Sequence, residues 1–215
     1  MLVTLFEKGV FIMEEFNSLL ELQTARRSFY ALGHDVPYTY AELEQMFKDT
    51  IRETPSAFNS QTVRAVFAFG DQHEALWDMV IERMRQVVSD PEAFEGTLAK
   101  LNGFKNAYGT VLLFTDTDVV KQLETDVPTY AANFYDWSEQ AIGIVSYSLW
   151  LTAREHGLGG NLQHYNPLID EDVRVAFNVP ENWRLRAQFV FGSIEAPAQD
   201  KDYVADEVRF ISVND

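Results

Sequence analysis

The sequence predicts a layered fold of α+β or α/β class. Three observations carry that expectation. Helix-patterned stretches dominate the chain, and three or four short apolar runs read as buried strands. One or more helices separate each strand from the next, which forbids simple hairpins and suggests a mixed sheet with helices on both faces. At 215 residues the chain fits one domain. Its core can be large enough to need no metal or disulfide.

Residues 14–25 place Phe16, Leu19, Leu20 and Gln23 at helical spacing. Arg26, Arg27 and Ser28 follow, then a turn around Gly33 and Pro37. Thr39 and Glu42 have capping-box spacing and open a helix through Glu53, with Leu43, Met46, Phe47 and Thr50 inside. Pro55 ends it, and residues 55–61 form a loop. Val63–Phe69 reads as a buried strand. Asp71 and Glu74 are expected to cap the next helix, and Asp90-Pro91-Glu92 starts another. Residues 109–115 read as a second buried strand, and a short helix follows Asp116. Asp170 is expected to cap a short helix that Asn178 and Pro180 end. Residues 185–191 form a third strand, and residues 208–213 a short closing one. The arm 196–215 has too little apolar content to fold alone and is expected to pair with a partner subunit.

Residues 126–167 are the centre of the pattern. From Tyr130 to Ala153 the apolar set includes Phe134, Trp137, Ala141, Ile144, Val145, Leu149, Trp150 and Leu151, with no continuous polar face. Such a helix needs a large core or a second subunit around it. Ala131, Ala132, Ala141, Gly143 and Ser146 would let another helix approach. Gly157, Gly159 and Gly160 are expected to stop the helix in conformations other residues resist.

Composition excludes several classes of function. The absence of cysteine removes disulfides, thiolate catalysis and cysteine-based metal sites. A net charge of −16 argues against nucleic acid and anionic membranes as partners. No run of 18 uncharged apolar residues predicts a transmembrane helix. Residues 1–12 lack the basic start and cleavage site of a signal peptide. Residues 1–13 are therefore expected to be an N-terminal extension, 14–215 a single domain, and the location cytoplasmic. His34, His73, His156 and His164 show no metal-ligand pairing, and there is no nucleophile elbow, P-loop or dinucleotide fingerprint.

Against so acidic a background, four stretches stand out. Arg26, Arg27 and Ser28 could grip a phosphate, or simply cap a helix. Asn59 and Gln61 offer amide pairs that suit a heterocycle of alternating carbonyl and N–H groups, though turn formers are usual in loops. Residues 157–167 put amides, His164 and Tyr165 behind a helix stop. Lys201 and Arg209 are cations in an acidic tail, where they could equally be solvated.

Together these stretches resemble the FMN-dependent nitroreductase superfamily. The carriers are Arg26-Arg27-Ser28, then Pro55-Ser56-Ala57-Phe58-Asn59-Ser60-Gln61, and a basic residue near the C-terminus. Phe134-Tyr135-Asp136-Trp137-Ser138-Glu139-Gln140, with Gly157-Leu158-Gly159-Gly160-Asn161-Leu162-Gln163-His164-Tyr165-Asn166-Pro167, resembles the fatty-acid-repression-mutant branch. The likeness spans residues 14–213. It implies a mainly antiparallel α+β fold and a homodimer with two FMN sites at the interface. It implies that Arg26, Arg27, Ser28, Asn59 and Gln61 contact FMN. Leu162, Gln163 and His164 would lie against the other ring face, and Lys201 or Arg209 would be the C-terminal cation. Two departures stand out. Thr62 and Val63 replace the usual proline and tryptophan, and Leu162-Gln163 occupies the region of the glutamate–glycine pair of larger members.

The resemblance further implies an NAD(P)H oxidoreductase of ping-pong type. NADH or NADPH would be the donor, and nitroaromatics, quinones or similar planar molecules the acceptors. No catalytic side chain is needed, since the cofactor carries the chemistry. Phe134, Trp137 and Tyr165 are candidates for pocket walls or for core packing. Two other readings stand beside it. One is a flavin-binding, redox-responsive regulatory dimer in lipid signalling or stress response. The other is an acidic interaction protein with no cofactor.

Overall fold

The computed structural model describes residues 15–213, so the expected extension 1–13 lies outside them. Strand β5 (Trp183–Ile194) is the hub of a five-stranded sheet. It pairs with β1 (Leu32–Gly33), β3 (Gly109–Asp116) and β4 (Gly159–Gln163), and β2 (Val63–Phe69) lies beyond β3. All four ladders are antiparallel. Among the described residues parallel pairing is confined to one bridge, Ser28 to Gly160. Antiparallel neighbours β2 and β3 are joined by two helices, α3 (Gly70–Val87) and α4 (Pro91–Lys105), rather than by a hairpin.

Helices cover both faces, because the strands are apolar on both. On one side Trp77 of α3 and Phe104 of α4 pack on Leu112, Phe114 and Val190, with Val173 of α7 (Asp170–Ala176). On the other, Leu43 and Phe47 of α2 (Tyr40–Glu53) and Val145 and Leu149 of α6 (Ala131–Glu155) pack on Val111, Leu113, Phe189 and Phe191. A bulge in β5 changes its phase, since Leu113 pairs with Ala187 but Phe114 with Leu185. The extra residue is Arg186. Below the bulge Arg184 and Arg186 therefore contact α6, while Leu185 joins the α3 side.

Local signals explain most boundaries. Thr39 and Glu42 form both bonds of the capping box. Asp90 caps α4, with Pro91 in its first turn, and Asp116 caps α5 (Thr117–Asp126). Three expectations need correction. Helix α1 is only Leu19–Ala25, capped by Ser18. Helix α3 starts at Gly70, whose φ is +51°, without a side-chain cap from Asp71 or Glu74. Asp170 is the first residue of α7 rather than its cap.

The glycine stop divides its labour. Gly157 (φ +75°) is the left-handed residue: its N–H bonds the Arg154 carbonyl, and the Leu158 N–H bonds Ala153. Gly159 and Gly160, expected as part of the stop, are strand β4. A Cβ on Gly160 would lie 2.7 Å from the Phe189 ring, so close approach excludes a side chain there.

Helix α6 is not buried all round within the chain. Phe134, Ser138, Ala141, Val145, Leu149 and Ala153 face inward. Asp136, Gln140, Gly143, Ile144 and Tyr147 form an exposed stripe, with Ile144 and Tyr147 each 39 % exposed. The expected closing strand is also absent from the chain. Residues 206–209 make one helical turn, α8 (Asp206–Arg209), and Ile211 is 92 % exposed. Among the described residues no helix is long and apolar enough to cross a membrane.

Candidate functional site

The α2/α6 face carries the candidate site, and α6 is its rail. At the C-terminal end of that helix, Arg154 Nε donates to the Ala25 carbonyl (3.3 Å). One turn earlier, Trp150 Nε1 donates to the carbonyls of Arg27 (3.1 Å) and Gly160 (3.0 Å). The Arg26 guanidinium lies 4.6 Å over the Trp150 ring. Gly160 also accepts the Phe29 N–H (3.0 Å), which fixes the 26–29 segment beside β4. The structure thus brings Arg26, Arg27 and Ser28 against the start of β4, two regions 130 residues apart in sequence.

Arg26 is short of partners. Its Nε is buried and has no hydrogen-bond acceptor. Burial lowers its pKa, Tyr147 opposes that, and the Arg27 charge adds to the lowering. A half-buried guanidinium whose buried Nε has no acceptor, beside a second guanidinium, is a site that an anion would relieve. Arg27 itself donates to the Gln199 carbonyl of the arm.

Strand β4 runs from this cationic end back along α6. Leu162 packs with the α2/α6 core. Gln163 is buried and its amide donates to Asn161 Oδ1 (2.9 Å), while Asn161 donates to the Phe29 carbonyl (2.8 Å). The Gln163 amide donor is therefore tied into a lock. His164 follows at the surface, and desolvation, then Arg186, lowers its pKa. Tyr165, a candidate wall, stands edge-on to Trp77 (5.7 Å) in the opposite core.

The loop before β2 lies along the same helix. Phe58, Asn59 and Gln61 all have left-handed backbones (φ +57°, +51° and +47°). Each costs of order 1 kcal/mol or more. The Ser56 hydroxyl accepts the Gln61 N–H (2.9 Å) and helps hold the shape. Phe58 stacks on Trp137 (5.9 Å) and meets Phe134 edge-on (5.4 Å), so these two candidates pack on the loop. Asn59 and Gln61 line different spaces. Asn59 opens on a cavity of about 420 Å³ with Asp116, Val119 and Asn182. Gln61 lines one of about 120 Å³ with Ala141 and Val145 of α6. From Ala141 to Trp150 the helix rises roughly 13 Å at ~1.5 Å per residue. At ~100° per residue the two positions also lie about half a turn apart around the helix, so Gln61 and the Arg26 segment meet different faces of α6.

Toward the N-terminal end of α6 lies a polar group that the sequence did not flag. Arg186 pairs with Glu139 on α6, and Arg184 contacts the Tyr135 hydroxyl. Glu139 keeps a buried oxygen without a donor. Nearby, burial raises the Asp170 pKa, against the lowering effect of Arg184 and Arg186. The bulge that aims these arginines leaves no mark in the hydrophobic pattern. Among the described residues no cluster of three His, Cys, Asp or Glu could hold a metal.

Among the described residues, Lys201 and Arg209 make their ring contacts within the arm and not with the Arg26 segment. Lys201 sits over Tyr203 (4.6 Å) and Arg209 over Phe210 (5.4 Å), both on the exposed arm.

Fold and site together define an antiparallel α+β protein with two neighbouring arginines, Arg26 and Arg27, held against a half-exposed helix. The chain belongs to the nitroreductase family, whose model matches residues 24–193. Two yeast proteins, from Saccharomyces cerevisiae, are similar over nearly their full length. HBN1, named among the nitroreductases, is 34% identical over 93% of this chain and 100% of its own. Nitroreductase FRM2 is 31% identical over 89% and 96%. The structure of nitroreductase CinD from Lactococcus lactis with chloramphenicol matches at TM-score 0.84 and 45% identity, over 92% of this chain and all of that one. The fold is also that of a more distant Exiguobacterium sibiricum structure solved with FMN, at TM-score 0.71 and 15% identity, covering 94% of this chain and all of the other.

Proposed function

We propose that this chain is an FMN-dependent oxidoreductase that uses NADH or NADPH to reduce nitroaromatics, quinones or similar planar acceptors, in a ping-pong cycle. The observation that carries the proposal is the buried, unpartnered Nε of Arg26 beside Arg27, in a chain of net charge −16. That donor set fits the phosphate of FMN. FMN, when bound, supplies two-electron redox chemistry. The chain supplies the rest. Arg26 and Arg27 neutralise the phosphate, and Ser28 closes that end. Leu162 and the β4 backbone form the floor. Gln61 and Asn59 present amides at the loop, where strained backbone keeps them from collapsing into the helix. His164 and Arg186 sit at the open end, where an acceptor would enter.

CinD was solved with 4-nitrophenol, with chloramphenicol and with nicotinic acid. Two nitroaromatics and a pyridine relative of nicotinamide support the acceptor and donor classes named here. The exposed stripe of α6 and the apolar residues of the arm support a homodimer. A second copy would cover Gly143, Ile144 and Tyr147, and the arm would carry Lys201 and Arg209 to that copy's site.

The test is a visible spectrum of the purified protein, its mass in solution, and turnover of a nitroaromatic with NADH or NADPH. A yellow dimer with turnover well above free FMN is expected. A protein that stays colourless after FMN addition overturns the proposal. A yellow dimer no faster than free FMN would instead favour a redox-responsive regulator.

A further inference from the structure

We propose that Trp150 is a positioning residue for the cofactor phosphate, acting through both arginines of the 26–28 segment. This rests on the FMN reading above and extends it to a residue outside the cofactor contacts expected from the sequence. The argument starts from what one indole does here. Its N–H is shared between the Arg27 and Gly160 carbonyls at 3.1 and 3.0 Å. Its face carries the Arg26 guanidinium at 4.6 Å. Three of its neighbours are thus the main chain of one arginine, the side chain of the other, and the first bridge between that segment and β4.

The chemistry explains why an indole suits the place. Arg26 has a long side chain, and holding it in one rotamer costs conformational entropy. An aromatic face fixes the guanidinium plane while leaving its N–H edge free to point elsewhere. The Nε that finds no acceptor in the chain is such an edge. Gly160 O is saturated by two donors, Trp150 Nε1 and the Phe29 N–H. Arg27 O takes the same indole N–H beside the Ser28–Gly160 bridge. Loss of the indole would loosen the Arg27 backbone and free the Arg26 side chain together, while the core around Leu149 and Phe189 could persist.

A merely structural role and a positioning role separate in the choice of flavin. FMN and riboflavin share the ring and ribityl chain and differ in the phosphate. The experiment titrates both into apo-protein, wild type, Trp150→Leu and Trp150→Phe, following flavin fluorescence and thermal midpoints. Wild type should prefer FMN strongly. Trp150→Leu should lose about tenfold or more of that preference, with riboflavin affinity nearly unchanged. Trp150→Phe, which keeps a ring face without the N–H, should lose at least about threefold and decides the matter if the leucine variant does not fold. An unchanged preference overturns the role of Trp150. So does an equal fall for both flavins in step with the midpoint. A wild type that binds neither flavin, or does not prefer FMN, would instead overturn the phosphate assignment to Arg26 and Arg27 itself.

Discussion

On the α3/α4 side of the sheet, both ring nitrogens of buried His73 are bonded, one to Thr110 Oγ1 (2.9 Å) and one to the Phe104 carbonyl (3.1 Å). Trp77 Nε1 donates to the same hydroxyl (3.1 Å). On the α2/α6 side, Arg26 and Glu139 each keep a buried polar atom without a partner, and the loop beside α6 holds three left-handed residues. The His73–Trp77 cluster is satisfied and closed. The second face stores unpaired groups and backbone strain, and its helix shows Ile144 and Tyr147 to solvent. Polar atoms left unpaired cost free energy, so Arg26 and Glu139 beside α6 point to a ligand there rather than to poor folding.

Substitutions can break that contrast from either side. Trp77→Ala should have the largest effect, about 3–5 kcal/mol lost in urea unfolding, with FMN affinity retained wherever the protein remains folded. A loss of affinity out of proportion to the unfolded fraction would mean that the two faces are coupled.

Next in size is acid. Burial pushes the His73 pKa down to about 4, whereas an unfolded histidine titrates near ~6.5. Between those values the unfolded chain binds the extra proton. Stability should therefore fall as pH drops through that window, by about 3 kcal/mol in all, and level off below about pH 4 in this contribution. Urea midpoints at several pH values, for wild type and His73→Gln, measure it. Equal slopes in both proteins would assign the acid sensitivity elsewhere.

Arg26→Ala should cost about 1.5–3 kcal/mol of FMN binding and little folding stability, read by flavin titration and a melting curve. Gly143→Phe should weaken the dimer by roughly 1–3 kcal/mol, since its Cβ would meet nothing within 4 Å in its own chain but would meet a helix packed across it. A raised dimer dissociation constant in sedimentation, with a melting point that falls on dilution, is the expected pair of results. The smallest effect belongs to Gln61→Gly. It should raise stability by up to about 1 kcal/mol, by relieving a φ of +47°, and weaken FMN. A simultaneous gain in both would deny the loop its role.

The sequence was readable where the signal was local. The capping box at Thr39, the strand Val63–Phe69 and the long helix needed only spacing and pattern. β4 was not readable, because Gly-Gly-Asn-Leu-Gln has little strand propensity and becomes a strand through β5 and the 28–29 segment. Residues 208–213 erred the other way: their apolar alternation suits a strand, but among the described residues no strand pairs with them. In the site, Arg26 and Asn59 stood out by residue type. Trp150 hid among core apolar residues, and Arg184 and Arg186 depend on a bulge. Such placements arise from tertiary pairing, which a linear pattern does not encode.

The placement of Trp150 has an optical consequence. The chain has four tryptophans, and two of them sit on opposite sides of the sheet in different chemical company. Trp77 is fully buried in the closed core, whereas Trp150 lies under the Arg26 guanidinium. Flavin bound beside Arg26 and Arg27 should quench Trp150 emission by energy transfer and leave a spectral component dominated by more distant indoles. A comparison of wild type with Trp150→Phe would then separate cofactor release from global melting in one cuvette, without an added dye.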